Sequence, residues 1–87
     1  MPRIELYTSG ICFYCVGAKN FLKQRGLEFE EIRIDRDPAR REEMLVRSGG
    51  RRSVPQIFIN GRHIGGYDDL VAVDRSGGLA EILGSGS

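Results

Sequence analysis

Residues 4–15 have the sequence IELYTSGICFYC, and this stretch decides the fold. Apolar Ile4 and Leu6 alternate with polar neighbours, which predicts a short strand over residues 3–7 with one face buried. Apolar side chains then recur at helical spacing from about residue 13 to residue 25, and Gly26 is a typical helix stop. The chain therefore runs from a strand through a short loop into a helix, with a Cys-x-x-Cys pair at the start of that helix.

The middle of the chain predicts a second strand and a second helix. Residues 28–34 alternate in polarity, as expected for a strand. Asp37 followed by Pro38 is a typical helix start, because aspartate caps free N–H groups and proline needs no N–H in the first turn. We expect this helix to run to about Ser48 and to end at the two glycines that follow.

The last third of the chain predicts a hairpin and a helix. Residues 56–59 and 62–64 are joined by Asn60-Gly61, which is the strongest short hairpin signal. An acidic start at 68–69 then precedes apolar residues at helical spacing, which predicts a last short helix. The order β-α-β-α-β-β-α predicts an α/β sandwich. A parallel pair with a right-handed crossover is followed in the same sheet by an antiparallel hairpin.

The composition is that of one ordinary globular domain. The chain has 87 residues, a net charge of +1 and 40% hydrophobic residues. We assign residues 1–83 to a single domain and residues 84–87, Gly-Ser-Gly-Ser, to a flexible tail that resembles a cloning remnant. No apolar run approaches the roughly 20 residues that span a membrane, and the N-terminus does not resemble a secretory signal. We therefore expect a cytoplasmic protein without a membrane or nucleic-acid partner.

The two cysteines of the chain are three residues apart, too few for a disulfide framework or a four-cysteine metal site. At the junction of a strand and a helix, such a pair is typical of a redox motif. Two other interpretations remain: the cysteines are small buried apolar residues, or they are half of a zinc site completed by His63 and a carboxylate. His63 itself is expected to be a surface or hydrogen-bonded residue.

Position along the helix separates the roles of the two thiols. Cys12 lies at the helix N-terminus, where free N–H groups and the positive end of the helix dipole stabilise a thiolate, so Cys12 is predicted to be the nucleophile. Cys15 lies one turn further on, and side chains three apart on a helix have Cβ atoms about 5–6 Å apart. Cys15 can therefore close a disulfide with Cys12 and is predicted to be the resolving thiol.

Three separated stretches of the chain carry a family resemblance. They are Tyr7-Thr8 with Cys12-Phe13-Tyr14-Cys15, then Ser53-Val54-Pro55-Gln56-Ile57-Phe58-Ile59, then Gly65-Gly66-Tyr67-Asp68-Asp69-Leu70. In this order and spacing they resemble a dithiol glutaredoxin of the bacterial single-domain type, from Ile4 to Leu83. The resemblance implies a thioredoxin-like, three-layer α/β/α sandwich around a four-stranded mixed sheet, and a glutathione-dependent thiol–disulfide oxidoreductase.

The resemblance also implies a set of glutathione contacts. In the family the proline of the second stretch is cis and faces the cysteines, which implies a cis Val54-Pro55 bond whose Val54 backbone pairs with the cysteinyl part of glutathione. The third stretch implies a helix N-terminus that binds the γ-glutamyl carboxylate, with Asp68 receiving the ammonium group. The implied glutathione-binding residues are Tyr14, Arg47, Ser53, Val54, Pro55, Gly66, Tyr67 and Asp68.

Arg47 is one of five arginines within residues 40–52, a cluster that suits a small anionic ligand although most of it is expected on a solvated helix face. It matches the position where relatives hold a polar or basic residue near the glycyl carboxylate.

The chain departs from the family twice. Phe13 replaces the common proline, and residues 8–11 contain no lysine. These departures bear on redox potential, partner choice and thiolate stabilisation.

The resemblance implies a reaction cycle. Cys12 attacks a glutathionylated protein and keeps the glutathione, which a second glutathione removes; for a protein disulfide, Cys15 resolves the mixed disulfide. Glutathione is then the cosubstrate, regenerated by a separate reductase, and we expect a monomer without a metal.

One alternative is a [2Fe–2S] carrier in which two chains bind a cluster through Cys12 and glutathione, although the Cys-Gly-Phe-Ser motif of most such relatives is absent. A thioredoxin-like electron donor is disfavoured by the absence of Trp and of Cys-Gly-Pro-Cys.

Overall fold

The fold is a four-stranded mixed sheet with helices on both faces. A computed structural model describes residues 2–84. Its elements, in chain order, are β1 (Ile4–Thr8), α1 (Phe13–Gln24), β2 (Glu30–Arg33), α2 (Pro38–Arg47), β3 (Gln56–Ile59), β4 (Arg62–Gly65), α3 (Tyr67–Arg75) and α4 (Gly78–Gly84). The strand order is β2-β1-β3-β4, in which β1 is parallel to β2 and the other two pairs are antiparallel. The predicted thioredoxin-like architecture is confirmed.

Two hydrophobic clusters separate the three layers. One cluster packs α1, α3 and α4 on one face of the sheet, and its buried members are Ile4, Leu6, Ala18, Leu22, Ile57, Ile59, Leu70, Leu79 and Ile82. The other packs α2 on the opposite face, and its buried members are Tyr7, Ile32, Ile34, Met44 and Phe58. Alternate residues of β1 and β3 therefore belong to different clusters, as the period of a strand requires.

β1 lies inside the sheet and is buried on both faces. All five of its residues are buried, including Glu5 and Thr8. The prediction that only one face of this strand is buried is therefore wrong. The polar residues satisfy their hydrogen bonds internally instead: Glu5 accepts two bonds from Arg47, at 3.0 and 3.2 Å, and Thr8 donates to Glu31 at 2.7 Å.

Local sequence signals account for the element boundaries around the site. The Asp37 carboxylate accepts from the N–H of Ala39 at 3.0 Å, and Pro38 is the first residue of α2, as predicted. Asn60 and Gly61 both have positive φ, 54° and 81°, which is the geometry that the Asn-Gly hairpin requires. The Asn60 amide also donates to the carbonyl of Ile82 at 3.0 Å, which fastens the hairpin to α4.

The C-terminal region contains two helices, where the sequence predicted one. Gly77, with a φ of 82°, lies between α3 and α4 and ends the first of them. Of the predicted tail, Gly84 is the last residue of α4, and residues 85–87 lie outside the described residues. None of the helices within residues 2–84 has the length and apolar character needed to cross a membrane.

Candidate active site

Cys12 is the N-cap of α1, and its sulfur takes part in the capping. Its backbone is extended, with φ −157° and ψ 106°, and the N–H of Cys15 donates to the Cys12 sulfur at 3.1 Å. The sulfur therefore occupies the place that a serine or aspartate oxygen takes at other helix starts. Both this N–H and the positive end of the helix dipole stabilise negative charge on the sulfur. The side chain is partly exposed, so a substrate disulfide can reach it.

Cys15 differs from Cys12 in its surroundings. It is 2% exposed, and burial together with the contact to Cys12 raises the pKa of its thiol to about 12. A thiol with this pKa is protonated near neutral pH, so Cys15 carries its proton in the reduced protein. Both cysteines are free thiols in the structure.

The raised pKa of Cys15 predicts an alkaline loss of stability in the reduced protein. The folded state binds the Cys15 proton more tightly than the unfolded chain, whose thiol ionises near pH ~8.5. The contribution to stability is therefore complete below about pH 8 and is lost as the pH rises from there towards 12. We expect the free energy of unfolding to fall by up to about 1.4 kcal/mol per pH unit above the unfolded value on account of this thiol.

Urea unfolding between pH 7 and 10, in the presence of a reductant, measures this dependence. Cys15→Ala is the matched variant. Its free energy of unfolding should fall less steeply with pH than that of the unmodified chain, by up to about 1.4 kcal/mol per pH unit. Groups other than Cys15 that ionise in this range are common to both proteins, so their contributions cancel in the difference. Parallel curves for the two proteins would show that Cys15 does not carry the effect.

The Val54-Pro55 peptide bond lies beside Cys12. The bond is cis, as the resemblance implied. The Cys12 sulfur is 3.6 Å from the carbonyl oxygen of Val54, to which its thiol donates. This contact brings the start of α1 and the segment before β3 together, although they are 42 residues apart in the chain.

A groove of about 240 Å³ extends from this point along the start of α3. Seven of the eight residues that the sequence analysis assigned to glutathione line it; they are Tyr14, Ser53, Val54, Pro55, Gly66, Tyr67 and Asp68. Two further residues, Arg51 and Asp69, complete the lining. The rings of Tyr14 and Tyr67 have centroids 6.3 Å apart, and the Tyr67 ring packs against Gly17 of α1. The groove therefore has an aromatic wall from two helices.

The N-terminus of α3 forms the other end of the groove. The Asp69 carboxylate accepts from the N–H of Gly66 at 2.8 Å and thereby caps the helix. The N–H groups left for a ligand are those of the next residues in the first turn, which have no intrahelical acceptor. A side chain at Gly65 would come within 2.3 Å of Asp69 and 2.9 Å of Arg51, and its φ is 118°, so glycine is required there.

The structure does not bring Arg47 to this groove. Its guanidinium pairs with both carboxylate oxygens of Glu5, donates to the Tyr7 hydroxyl at 2.8 Å and lies 4.1 Å above the Phe58 ring. The bonds to Glu5 raise the pKa of Arg47 and lower that of Glu5. Arg47 lines a separate cleft of about 650 Å³ rich in paired charges. Three of its N–H donors are thus bonded to Glu5 and Tyr7, and Arg47 is not among the residues that line the groove.

Arg51 is the arginine that reaches the groove. Both terminal nitrogens of its guanidinium lie 3.4 Å from an Asp69 oxygen, and the side chain remains about half exposed. The sequence analysis included Arg51 in the arginine cluster without assigning it to the site. The signal that could have found it is its position two residues before Ser53, in the segment that carries the cis proline.

Two large apolar side chains beside Cys12 are exposed to solvent. Ile11 is 96% exposed and Phe13 is 88% exposed, and they immediately precede and follow Cys12.

Among residues 2–84 no group of three or more His, Cys, Asp or Glu side chains could hold a metal ion. The zinc site that would combine both cysteines with His63 and a carboxylate is therefore not formed.

A partly exposed cysteine at a helix N-cap, a buried second thiol one turn later and an adjacent cis proline are typical of a thioredoxin-like thiol–disulfide oxidoreductase. The family model described as Glutaredoxin matches residues 4–64. The chain is 52% identical to Glutaredoxin 3 of Escherichia coli over 83 residues, which cover 95% of this chain and 99% of that protein. The chain belongs to the glutaredoxin family.

Solved structures agree with this assignment. The solution structure of a glutaredoxin from Brucella melitensis has a TM-score of 0.82 at 44% identity, covering 98% of this chain and 91% of that one. The crystal structure of a buckwheat glutaredoxin–glutathione complex has a TM-score of 0.82 at 31% identity, covering 92% and 74%. The comparisons do not support the iron–sulfur alternative.

Proposed function

We propose that this protein uses glutathione to reduce protein–glutathione mixed disulfides and protein disulfides, with Cys12 as nucleophile. The observation that carries the proposal is the position of the Cys12 sulfur, which accepts a helix N–H at 3.1 Å and lies 3.6 Å from the carbonyl oxygen of Val54, a residue that lines the groove of about 240 Å³. The buckwheat relative, whose structure is a complex with glutathione, supports glutathione as the ligand.

The first half-reaction is a thiol–disulfide exchange at Cys12. The Cys12 thiolate attacks the glutathione sulfur of a glutathionylated protein, the disulfide bond between glutathione and the protein cysteine breaks, and the protein leaves as its thiolate. Glutathione remains bound to Cys12 as a mixed disulfide. A second glutathione thiolate then attacks that glutathione sulfur, which releases Cys12 as a thiolate and forms glutathione disulfide. A separate reductase regenerates glutathione with NADPH.

For a disulfide within a protein, Cys15 completes the exchange. Attack by Cys12 on one substrate sulfur breaks the substrate disulfide and links the substrate to the enzyme. Cys15 then attacks the Cys12 sulfur, so that the substrate leaves fully reduced and a Cys12–Cys15 disulfide forms, which two glutathiones reduce to glutathione disulfide and the dithiol enzyme. Cys15 must lose its proton in this step, and the departing substrate thiolate is the group that takes up a proton. Exposed Ile11 and Phe13 flank Cys12 and offer an apolar surface to protein substrates. A reducing compartment such as the cytoplasm supplies the glutathione that the cycle needs.

The groove supplies recognition for glutathione. The Val54 backbone pairs with the cysteinyl part of the tripeptide, which adds one strand-like residue at the start of β3. The first turn of α3 binds the γ-glutamyl carboxylate, because its free N–H groups and dipole favour an anion. Asp68 receives the ammonium group, and Arg51 supplies a positive charge in the groove. We propose that one chain is sufficient for this cycle.

Reduction of a glutathionylated peptide, coupled to NADPH oxidation through glutathione reductase, tests the proposed function. We expect turnover that depends on all three of the peptide, glutathione and the protein. Turnover with a thioredoxin reductase in place of glutathione and its reductase would assign the protein to the thioredoxin-like alternative. Absence of turnover in both systems would overturn the proposal.

Arg51→Ala should raise the KM for the glutathionylated peptide by up to about tenfold, because it removes a partly exposed charge-assisted hydrogen bond worth ~1–1.5 kcal/mol. Its kcat should change little. Arg52→Ala is the matched control, since Arg52 is an exposed neighbour that does not line the groove. An equal effect in the two variants would indicate general electrostatics rather than a contact made by Arg51.

A further inference from the structure

The side chain of Gln56 is wholly buried although it is polar. Gln56 is the first residue of β3, directly after Pro55, and it has no exposed surface. The proposed reaction cycle gives it no role. A buried amide needs partners for its donors and its acceptor, so its hydrogen bonds indicate what it positions.

The Gln56 amide joins Ser53 to His63. Its nitrogen donates to the Ser53 carbonyl at 3.0 Å and lies 3.2 Å from the Ser53 hydroxyl oxygen, and its oxygen is 2.7 Å from Nε2 of His63. The Ser53 carbonyl can only accept, which determines which end of the amide faces it. The amide oxygen therefore faces His63, and His63 must donate through an Nε2–H.

The surroundings of His63 hold that donor in place. The imidazole stacks on the Phe58 ring, with centroids 4.8 Å apart and an angle of 28° between the planes. Burial is the largest cause that lowers the pKa of His63, and the charges of Arg51 and Arg47 act in the same direction against that of Asp69. The neutral ring with its proton on Nε2 is thus the form that suits Gln56. Protonation of Nδ1 would leave the same donor on Nε2.

These bonds set the direction of the Ser53 hydroxyl. Since the hydroxyl oxygen accepts from Gln56, its own proton cannot point at the Gln56 nitrogen. Ser53 is exposed and lines the groove between Arg51 and Val54. The proton is therefore free to be donated to an acceptor in the groove.

We infer that Gln56, held by His63, is a positioning residue that turns Ser53 into a hydrogen-bond donor for an acceptor oxygen of the bound glutathione. The acceptor is a carboxylate or peptide carbonyl oxygen, the two acceptor types that a tripeptide offers. This inference rests on the proposed function. The inference adds to the proposed function a hydrogen-bonded pair, the buried Gln56 and the partly buried His63, that acts on glutathione binding without touching glutathione.

Gln56→Glu tests the inference with nearly the same shape. A carboxylate cannot donate to Ser53, and the Ser53 hydroxyl would turn to donate to the carboxylate instead of the ligand. We expect a rise of roughly fivefold in the KM for the glutathionylated peptide, as for the loss of one neutral hydrogen bond, with kcat little changed. Gln56→Met, which also lacks the donor and places no charge in the buried site, is the second variant if the first fails to fold.

The decisive measurement is a double-mutant cycle with Ser53→Ala. Ser53→Ala alone should raise KM by a similar factor, and either Gln56 variant should add little in the Ser53→Ala background, because the hydroxyl that Gln56 orients is gone. His63→Phe keeps the stacking on Phe58 but lacks the N–H that binds Gln56. We expect it to raise KM less than the Gln56 variants do, and this rise should also vanish in the Ser53→Ala background. The inference would be overturned if the effects of the Gln56 and Ser53 substitutions on KM multiply in the double variant. It would also be overturned if the variants lose kcat to the same extent as they gain KM.

The same experiment separates this inference from the proposed function. If the unmodified protein does not turn over the glutathionylated peptide, the proposed function fails. If it does, and the effects of the Gln56 and Ser53 variants on KM multiply, only the positioning role fails. Melting temperatures of all variants show whether a change in KM accompanies a loss of stability.

Discussion

Cys12→Ser is expected to abolish reduction of both glutathionylated and disulfide-containing substrates. A serine hydroxyl is not ionised at neutral pH and cannot form a disulfide, so neither half-reaction can begin. The fold should be retained, because serine is among the best N-cap residues and its oxygen can accept the Cys15 N–H that the Cys12 sulfur accepts. The loss of activity therefore reports the chemistry of the sulfur.

The coupled glutathione reductase assay measures this effect, and the rate should fall to that of the reaction without enzyme. Thermal unfolding of the same preparation provides the control, with a melting temperature close to that of the unmodified chain. Substantial turnover by Cys12→Ser, with its fold intact, would require a different nucleophile and would reject the proposed mechanism.

Cys15→Ala should separate the two kinds of substrate. Reduction of a glutathionylated peptide needs only Cys12, since glutathione itself removes the glutathione from the enzyme, so much of this activity should remain. Reduction of a protein disulfide should fall strongly, because the mixed disulfide between Cys12 and the substrate loses its intramolecular resolving thiol. Alanine is chosen over serine because it places no polar group in this buried position.

Both substrates should be tested on one preparation, with the unmodified protein and Cys12→Ser beside it. The expected signature is a large fall in the ratio of disulfide reduction to deglutathionylation. A Cys15→Ala protein as inactive as Cys12→Ser with the glutathionylated peptide would show that Cys15, and not glutathione, resolves that intermediate. Accumulation of a stable adduct between the variant and the protein substrate would support the assigned order of steps.

Local signals explain why most elements were predictable. Asp37-Pro38 starts α2 and Asn60-Gly61 closes the hairpin, because each pair satisfies a local backbone requirement that does not depend on the remainder of the chain. The burial of β1 was not predictable from its own residues. Its polar residues suggested a solvated face, whereas α2 covers that face and Arg47 neutralises Glu5.

The sequence by itself determined the chemistry of this protein. Cys12 and Cys15 are three residues apart at a strand-to-helix junction, and this local geometry is enough to place one thiol at a helix N-terminus and a second thiol within reach of it. The three stretches of family resemblance determined the class of reaction and seven of the groove residues, because their order along the chain sets which loops meet at the end of the sheet.

Only the tertiary structure decided which charged and polar groups serve the groove. Arg47 and Arg51 look alike in sequence, but Arg47, at the end of α2, binds Glu5 and Tyr7 of β1, whereas Arg51 lies beside Asp69. Likewise, nothing local indicates that Gln56 connects His63 to Ser53, since the contact depends on the pairing of β3 with β4. A long side chain reaches several possible partners, and packing against distant elements determines which of them it meets.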